Sequence, residues 1–466
     1  MGVGVSGWRL AQAVGRAGQL GVVSGTALPL VLARQLQLGD PGGHLARALG
    51  HFPVPAIASR ILHDYRIPEG KPAAAPFKNI PMPTMQPGRE FLDLAVAGAF
   101  CEVYLAKEGH PGIVGINLLE KIQLPTLPTL YGAMLAGVDY VLMGAGIPRS
   151  IPGVLDCFSR GEAAAIKIDI SGSSGEDDCL NRFDPAEYFG APPPVLTRPK
   201  FLAIISSATL ALTLARKSNG RVDGFIVEGS VAGGHNAPPR GPMVLDELGE
   251  PVYGPRDVAE LPKIRELGLP FWLAGACARP EKIAGARAQG AAGVQIGTPF
   301  AYCNESGISA DLKRRVCALS RNPGALHVRT DPRASPTGFP FKVLQLIDTL
   351  SEETHVAARE RVCDLGYLRQ PYRRADGSVG YRCASEPESD YVRKGGNLDE
   401  TKGRLCLCNG LMATIGLGQQ RDNGVELPLV TAGDDVVNLA RFLPAESDAY
   451  SAADVIRSLL GEPATA

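Results

Sequence analysis

The sequence predicts an α/β fold: a (β/α)8 TIM barrel followed by a mostly helical C-terminal subdomain. Three observations carry this expectation. Short runs rich in Val, Ile, Leu and Ala recur along the chain and alternate with segments of helical periodicity, the pattern of parallel βαβ units. Seven or eight such units fit before residue 300, and no G-x-G-x-x-G follows a strand in the series, which favours a barrel over a doubly wound dinucleotide-binding sheet. The 55 glycines and 38 prolines of the 466 residues are spread between the apolar runs, as many short turns between many elements require.

The elements follow in order. Leu10, Ala13, Val14 and Ala17 recur at helical spacing from Trp8 to Ala17 and Gly18 closes the segment, so a helix feeds a strand at 20–24. Residues 34–90 have no such rhythm and are rich in proline, as expected of a surface excursion or lid. A helix from Glu90 to about Glu108 leads to strands at 113–117 and 138–143. AAAIKIDI (163–170) and FLAII (201–205) both read as strands, one of them in the barrel, with 171–199 as an insertion between them. A helix at 208–216 precedes the strand Gly224 to Val227. Helices at 259–267 and 280–289 alternate with strands at 270–276 and 293–298, which places the barrel domain at 1–325 and the C-terminal subdomain at 326–466. The chain begins MGVGVSG directly before its first helix, so the opening strand is very short or the native start lies upstream of Met1.

Composition narrows the function. The formal net charge is -1 and no dense Lys/Arg cluster appears, which argues against nucleic-acid binding. No apolar run reaches the length of a membrane span. Ten cysteines in 466 residues are too few for a disulfide scaffold, so reduced thiols, a cytoplasmic protein and small-molecule chemistry are expected. The candidate site lies where strands end in small residues: Gly233 and Gly234 before His235, Gly275 and Ala276, and Gly297 and Thr298. Glycine pairs of this kind, after the later strands of a barrel, are where backbone N–H groups collect a phosphate. A histidine at a strand's C-terminal end is placed for proton transfer.

The segments MGVGVSGWRLAQAVGRAGQLGVVSG, GINLL (115–119), VEGSVAGGH (227–235), LAGACARPEKIAGARAQGAAGVQIGTPF (273–300) and NES (304–306) resemble the nitronate monooxygenase family, FMN-dependent barrel enzymes formerly called 2-nitropropane dioxygenases. The resemblance implies that Met1, Gly2, Asn117, Lys167, Glu228, Ala232, Gly233, Gly234, Gly275, Ala276, Gly297 and Thr298 border FMN. It also implies that His235 lies beside the isoalloxazine and takes the acidic α-proton of a nitronate or related carbon acid, with O2 as electron acceptor. Two segments depart from that pattern. NAPPRG follows the histidine and brings Arg240 near it, a candidate for holding a carboxylate or phosphate of the substrate. SPTGFPFK (335–342) and CDLGYLR (363–369) resemble trans-acting enoyl reductases of polyunsaturated fatty acid and polyketide synthases. These use NAD(P)H on a carrier-bound substrate, so NAD(P)H and an acyl carrier protein stand as alternative partners. A flavin-binding subunit without turnover is a third reading, and an oligomer fits any of them.

Cys363, Cys383, Cys406 and Cys408 gather in the C-terminal part, but no C-x-x-C occurs, and the expectation is buried free thiols with no metal. The acidic run Glu176–Asp178 and the pair Asp434 and Asp435 are read as solvated loops.

Overall fold

The structure is a computed structural model that describes residues 2–172 and 179–461; Met1 and the run Glu176–Asp178 lie outside the described residues. Its centre is a sheet of seven parallel strands: β1 (Gly21–Ser24), β2 (Val114–Leu119), β3 (Tyr140–Gly144), β6 (Lys200–Ile205), β7 (Gly224–Glu228), β8 (Phe271–Ala274) and β9 (Gly293–Gln295), paired in that order. Helices connect them, so the α/β barrel class expected from the sequence is the one observed. Strands such as β7 are buried along nearly their whole length, which explains why they read as continuous apolar runs.

The two rival strands part company. Ala164–Lys167 (β4) pairs antiparallel with Leu180–Phe183 (β5), off the barrel, while β6 lies beside β3. The reason is in the side chains. In β4, Ala164 and Ile166 are buried while Ala165 and Lys167 are exposed, a one-faced strand that suits a hairpin; KFLAII in β6 is apolar enough to be covered on both faces.

Among the described residues no strand precedes β1, and an eighth paired strand is not formed. The chain before the first helix, α1 (Trp8–Arg16), does this job with single bonds. Ser24 N–H donates to Ser6 O at 2.7 Å and Gly307 N–H to Val5 O at 2.8 Å, while the Ser6 hydroxyl donates to Val22 O at 2.6 Å. Residues 5 and 6 thus bridge from β1 to the segment following β9.

The proline-rich excursion contains the end of α2 (Leu28–Gln37) and two further helices, α3 (His44–Gly50) and α4 (Pro55–Tyr65). Leu45, Leu49, Phe52, Ile57 and Ile61 enter the main core and α3 and α4 pack on α5 (Arg89–Lys107). The segment covers a flank of the barrel.

Residues 326–461 hold, beside their helices, three two-stranded antiparallel sheets that the sequence pattern did not announce: β10 (His327–Asp331) with β11 (Phe341–Gln345), β12 (Gln370–Arg373) with β13 (Val379–Arg382), and β14 (Gln420–Arg421) with β15 (Gly424–Val425). This part does not stand apart. Leu10 and Val14 of α1 share one apolar cluster with Val430, Val436, Leu439, Tyr450 and Val455. Arg34 of α2, fully buried, donates to Leu417 O at 2.6 Å, and burial lowers its pKa to about 10. Among the described residues no helix is long and apolar enough to cross a membrane.

Candidate active site

A cavity opens at the C-terminal ends of the parallel strands, the end at which barrels carry their chemistry. Register decides what meets there: Glu228 pairs with Ala274 and Ala274 with Gln295, and all three line the cavity. So do Gly2, Asn117, Ala232, Gly233, Gly234, His235, Gly275, Ala276, Gly297 and Thr298. Lys167 does not; it is exposed on the β4–β5 hairpin, because the strand that carries it left the barrel. Met1 lies outside the described residues. Arg240 lines a second, adjoining cavity with Ser206, Tyr253 and Asp257. Ala145, Ile204, Glu228 and His235 belong to both cavities and form the wall between them.

His235 is fixed from the C-terminal part of the chain. Residues 234–236 run antiparallel to 340–342: Lys342 N–H donates to Gly234 O and Asn236 N–H to Pro340 O, each at 2.9 Å. This brings the ring edge-on to Phe341, with centroids 4.9 Å apart. It also brings His235 Nε2 to 2.7 Å from the Ser335 hydroxyl, which itself contacts Thr337 Oγ1 at 2.8 Å. Among the described residues Nδ1 has no such partner. Burial, together with the nearby Lys121 ammonium, lowers the His235 pKa to about 3, so the imidazole is neutral and an acceptor at any ordinary pH.

Two further groups with displaced pKa values flank the histidine. Burial raises Glu228 to about 7. It lowers Lys121, which follows β2 and lies over the Phe339 ring, also to about 7, with Glu120 opposing the shift. Beside the neutral imidazole, a carboxyl poised near neutrality and a poised amine can hold or move protons at working pH. Two residues bend the backbone here at a cost: Ala145 (φ 54°) and Ala276 (φ 48°) both adopt left-handed conformations at strand ends.

The far end of the cavity is a cradle. The N–H groups of Ala276, Cys277, Gly297 and Thr298 make no hydrogen bond among the described residues, and a Cβ at Gly297 would meet nothing within 4 Å. Unpaired donors around open space fit an anion such as the phosphate of FMN. The residues present therefore suit that cofactor: the cradle would hold its phosphate, and the wall with His235 and Glu228 would border its ring, which supplies electron transfer when bound.

A strap formed by TAGDD (431–435) closes the cradle from outside. Thr431 Oγ1 accepts from Gly234 N–H at 3.1 Å and donates to Lys342 O at 2.7 Å. Gly433 N–H donates to Thr298 Oγ1 at 2.9 Å. Asp434 and Asp435 are not a solvated pair. Asp434 Oδ1 lies 2.6 Å from the buried Lys342 Nζ, and Asp435, itself buried, is gripped by Arg441 at 2.5 Å and lines the cavity. Position in a polar stretch near the chain end misled the sequence reading, because the partners lie in another segment.

The fold is of the α/β barrel class, and the cavity at its strand ends joins an anion cradle to a neutral histidine. Residues 197–329 match the family model for nitronate monooxygenase, a span that runs from β6 through β9 and contains His235, Arg240 and both glycine loops. No curated protein matches the chain. Among solved structures, FabK from Thermotoga maritima is 15% identical, with 98% of this chain and 88% of that chain covered at a TM-score of 0.45. Nitroalkane oxidase from Streptomyces ansochromogenes is 14% identical, with 99% and 93% covered at 0.46. The enoyl reductase domain of MlnA from Bacillus amyloliquefaciens is 12% identical, with 99% and 91% covered at 0.47. At such scores these likenesses carry no functional argument.

Proposed function

We propose that the protein is an FMN-dependent oxidoreductase of nitronate monooxygenase type that oxidises a nitronate or related carbon acid with O2. The observation that supports this best is the shared wall: His235 and Glu228 face one cavity that ends in an anion cradle and a second that opens beside Arg240. FMN would occupy the first and substrate would enter through the second. In this reading His235, held neutral by burial and pinned at Nε2 by Ser335, takes up at Nδ1 the α-proton of a neutral carbon acid such as a nitroalkane, whereas a nitronate arrives already deprotonated and needs no base. The guanidinium of Arg240, which donates to Ser206 O at 3.2 Å, stands at the rim where an acidic group of the substrate would arrive.

The test is direct. Purified protein should carry FMN, and His235→Ala should retain it while losing turnover with a neutral nitroalkane by roughly 100-fold or more, the usual scale of a lost general base. A protein that takes up no flavin refutes the flavoenzyme reading. Retention of full activity by His235→Ala refutes the assigned base.

A second reading keeps the cofactor and changes the partner: an NAD(P)H-dependent enoyl reductase. What favours it is SPTGFPFK, whose Ser335 and Phe341 both contact His235, so the segment shared with that resemblance is built into the site. Anaerobic mixing separates the two. Bleaching of the flavin by NADPH alone supports the reductase, and bleaching by a nitronate alone supports the monooxygenase.

A further inference from the structure

The second cavity holds an unfinished hydrogen bond. Asn236 lines it and is only 2% exposed, yet its Oδ1 accepts nothing among the described residues. The rest of the residue is tied down. Its backbone N–H donates to Pro340 O at 2.9 Å and its Nδ2 to Ala232 O at 3.1 Å. The second bond fixes which arm of the amide is which, because only the NH2 group can donate to a carbonyl. Ala232 borders the first cavity and not the second, whereas Asn236 borders the second and not the first. The planar amide therefore turns Oδ1 away from Ala232, on the side of the second cavity.

A buried acceptor without a donor is costly, and most such groups in folded proteins have a partner. The polar neighbours do not supply one. The Tyr253 hydroxyl donates to Ala237 O at 3.1 Å and the Arg240 guanidinium to Ser206 O at 3.2 Å. Asp257 is an acceptor itself, and its two oxygens receive the backbone N–H groups of Arg240 and Gly254, each at 2.7 Å. Ile204, Ile205, Leu210 and Phe339 give the wall its apolar part. At about 330 Å³ the cavity has room for a small organic molecule.

We infer that Asn236 Oδ1 is a specificity-determining acceptor: the substrate presents a hydroxyl or amide N–H to it while its acidic carbon faces His235. The two residues are adjacent in the chain and both border the second cavity, so one small molecule can meet both. The inference rests on the reading that substrate occupies this cavity. It narrows that substrate from any carbon acid to one carrying a hydrogen-bond donor close to its acidic carbon. A plain nitroalkane would leave Oδ1 unpaired, and a site built around a polar group discriminates against the analogue that lacks it.

The pair 2-nitroethanol and 1-nitropropane tests this, since the two have equal numbers of heavy atoms and differ by a hydroxyl in place of a methyl. Each is titrated calorimetrically into the full chain, of measured flavin content, and each is then assayed for turnover. Wild type should bind 2-nitroethanol at least about fivefold more tightly, the scale of one neutral hydrogen bond. Asn236→Leu, of similar volume, should abolish that preference and lower the ratio of the two kcat/KM values by a similar factor; the intrinsic acidities of the compounds cancel in this comparison. Asn236→Asp loses the donor to Ala232 but keeps an acceptor, so it should retain the preference, with circular dichroism showing that each variant is folded. Binding of neither compound, no preference for 2-nitroethanol in wild type, or an unchanged preference in Asn236→Leu overturns the inference. Equal loss in the Asp and Leu variants overturns it too, in favour of a structural role through Ala232. The wild-type comparison needs no variant and binding is read without turnover, so failure of the donor preference is distinguishable from failure of the flavoenzyme reading, which shows as absent flavin or as no turnover of either compound.

Discussion

Gly233→Ala tests the strap most sharply. A Cβ at this position would lie 2.7 Å from Gly433 N and 2.8 Å from the Ala432 carbonyl carbon. Both are backbone atoms, so no side chain can rotate away and the strap itself must move. Overpacking of this kind costs about 1–3 kcal/mol, and the displacement falls on Gly433, whose N–H holds Thr298 Oγ1. If that strain is relieved by opening the cradle, flavin affinity weakens by about 5- to 150-fold, since each 1.4 kcal/mol is about tenfold. The assay is flavin titration of apoprotein followed by fluorescence quenching, with the thermal midpoint recorded in parallel. Gly297→Ala is the control. Its Cβ meets nothing within 4 Å and its φ of -115° suits any residue, so it should leave the midpoint of flavin-free protein unchanged and act only when ligand is present. Wild-type affinity and midpoint in Gly233→Ala would refute the claim that the strap bears on the cradle.

Other outcomes follow from the same geometry. Ser335→Ala removes the partner of His235 Nε2 and, at about 1 kcal/mol for a neutral hydrogen bond, should lower kcat about fivefold with flavin content unchanged; restoration by Ser335→Thr would confirm the hydroxyl's role. Because His235 is already neutral above about pH 3, the pH–rate profile should show no limb from it near 6.5. A limb near 7 is expected from Glu228 or Lys121, and a limb unchanged in both Glu228→Gln and Lys121→Met refutes the assignment. Glu228 also sets a sign for stability. Its folded pKa, about 7, lies above the ordinary glutamate value of 4.5, so the folded state binds the extra proton and is destabilised as pH rises from about 4.5 through 7. Glu228→Gln should therefore raise the thermal midpoint more at pH 8 than at pH 5.

Legibility in the sequence tracked the distance between partners. The strand Gly224–Glu228, the glycine pairs and the histidine are local signals, and their order alone placed them at one end of a barrel. Lys167 was misplaced because AAAIKIDI has the composition of a barrel strand, and only pairing with Leu180–Phe183 reveals a hairpin. Ser335 sits 100 residues from His235 and Gly433 135 residues from Thr298; no periodicity encodes such contacts. Lys121 escaped notice because a lysine just past a strand reads as solvated until Phe339 is folded over it.

The bond between Gly433 and Thr298 carries a consequence for biosynthesis. A chain emerging from the ribosome exposes its parallel strands and both glycine loops more than 100 residues before the strap is made, since that bond spans 135 positions. Domains fold as they emerge, N-terminal parts first, so the barrel can collapse while its cofactor pocket still lacks a roof. If the cavity holds flavin as proposed, its capture would be one of the final events of maturation, with the strap at 431–435 as the latch.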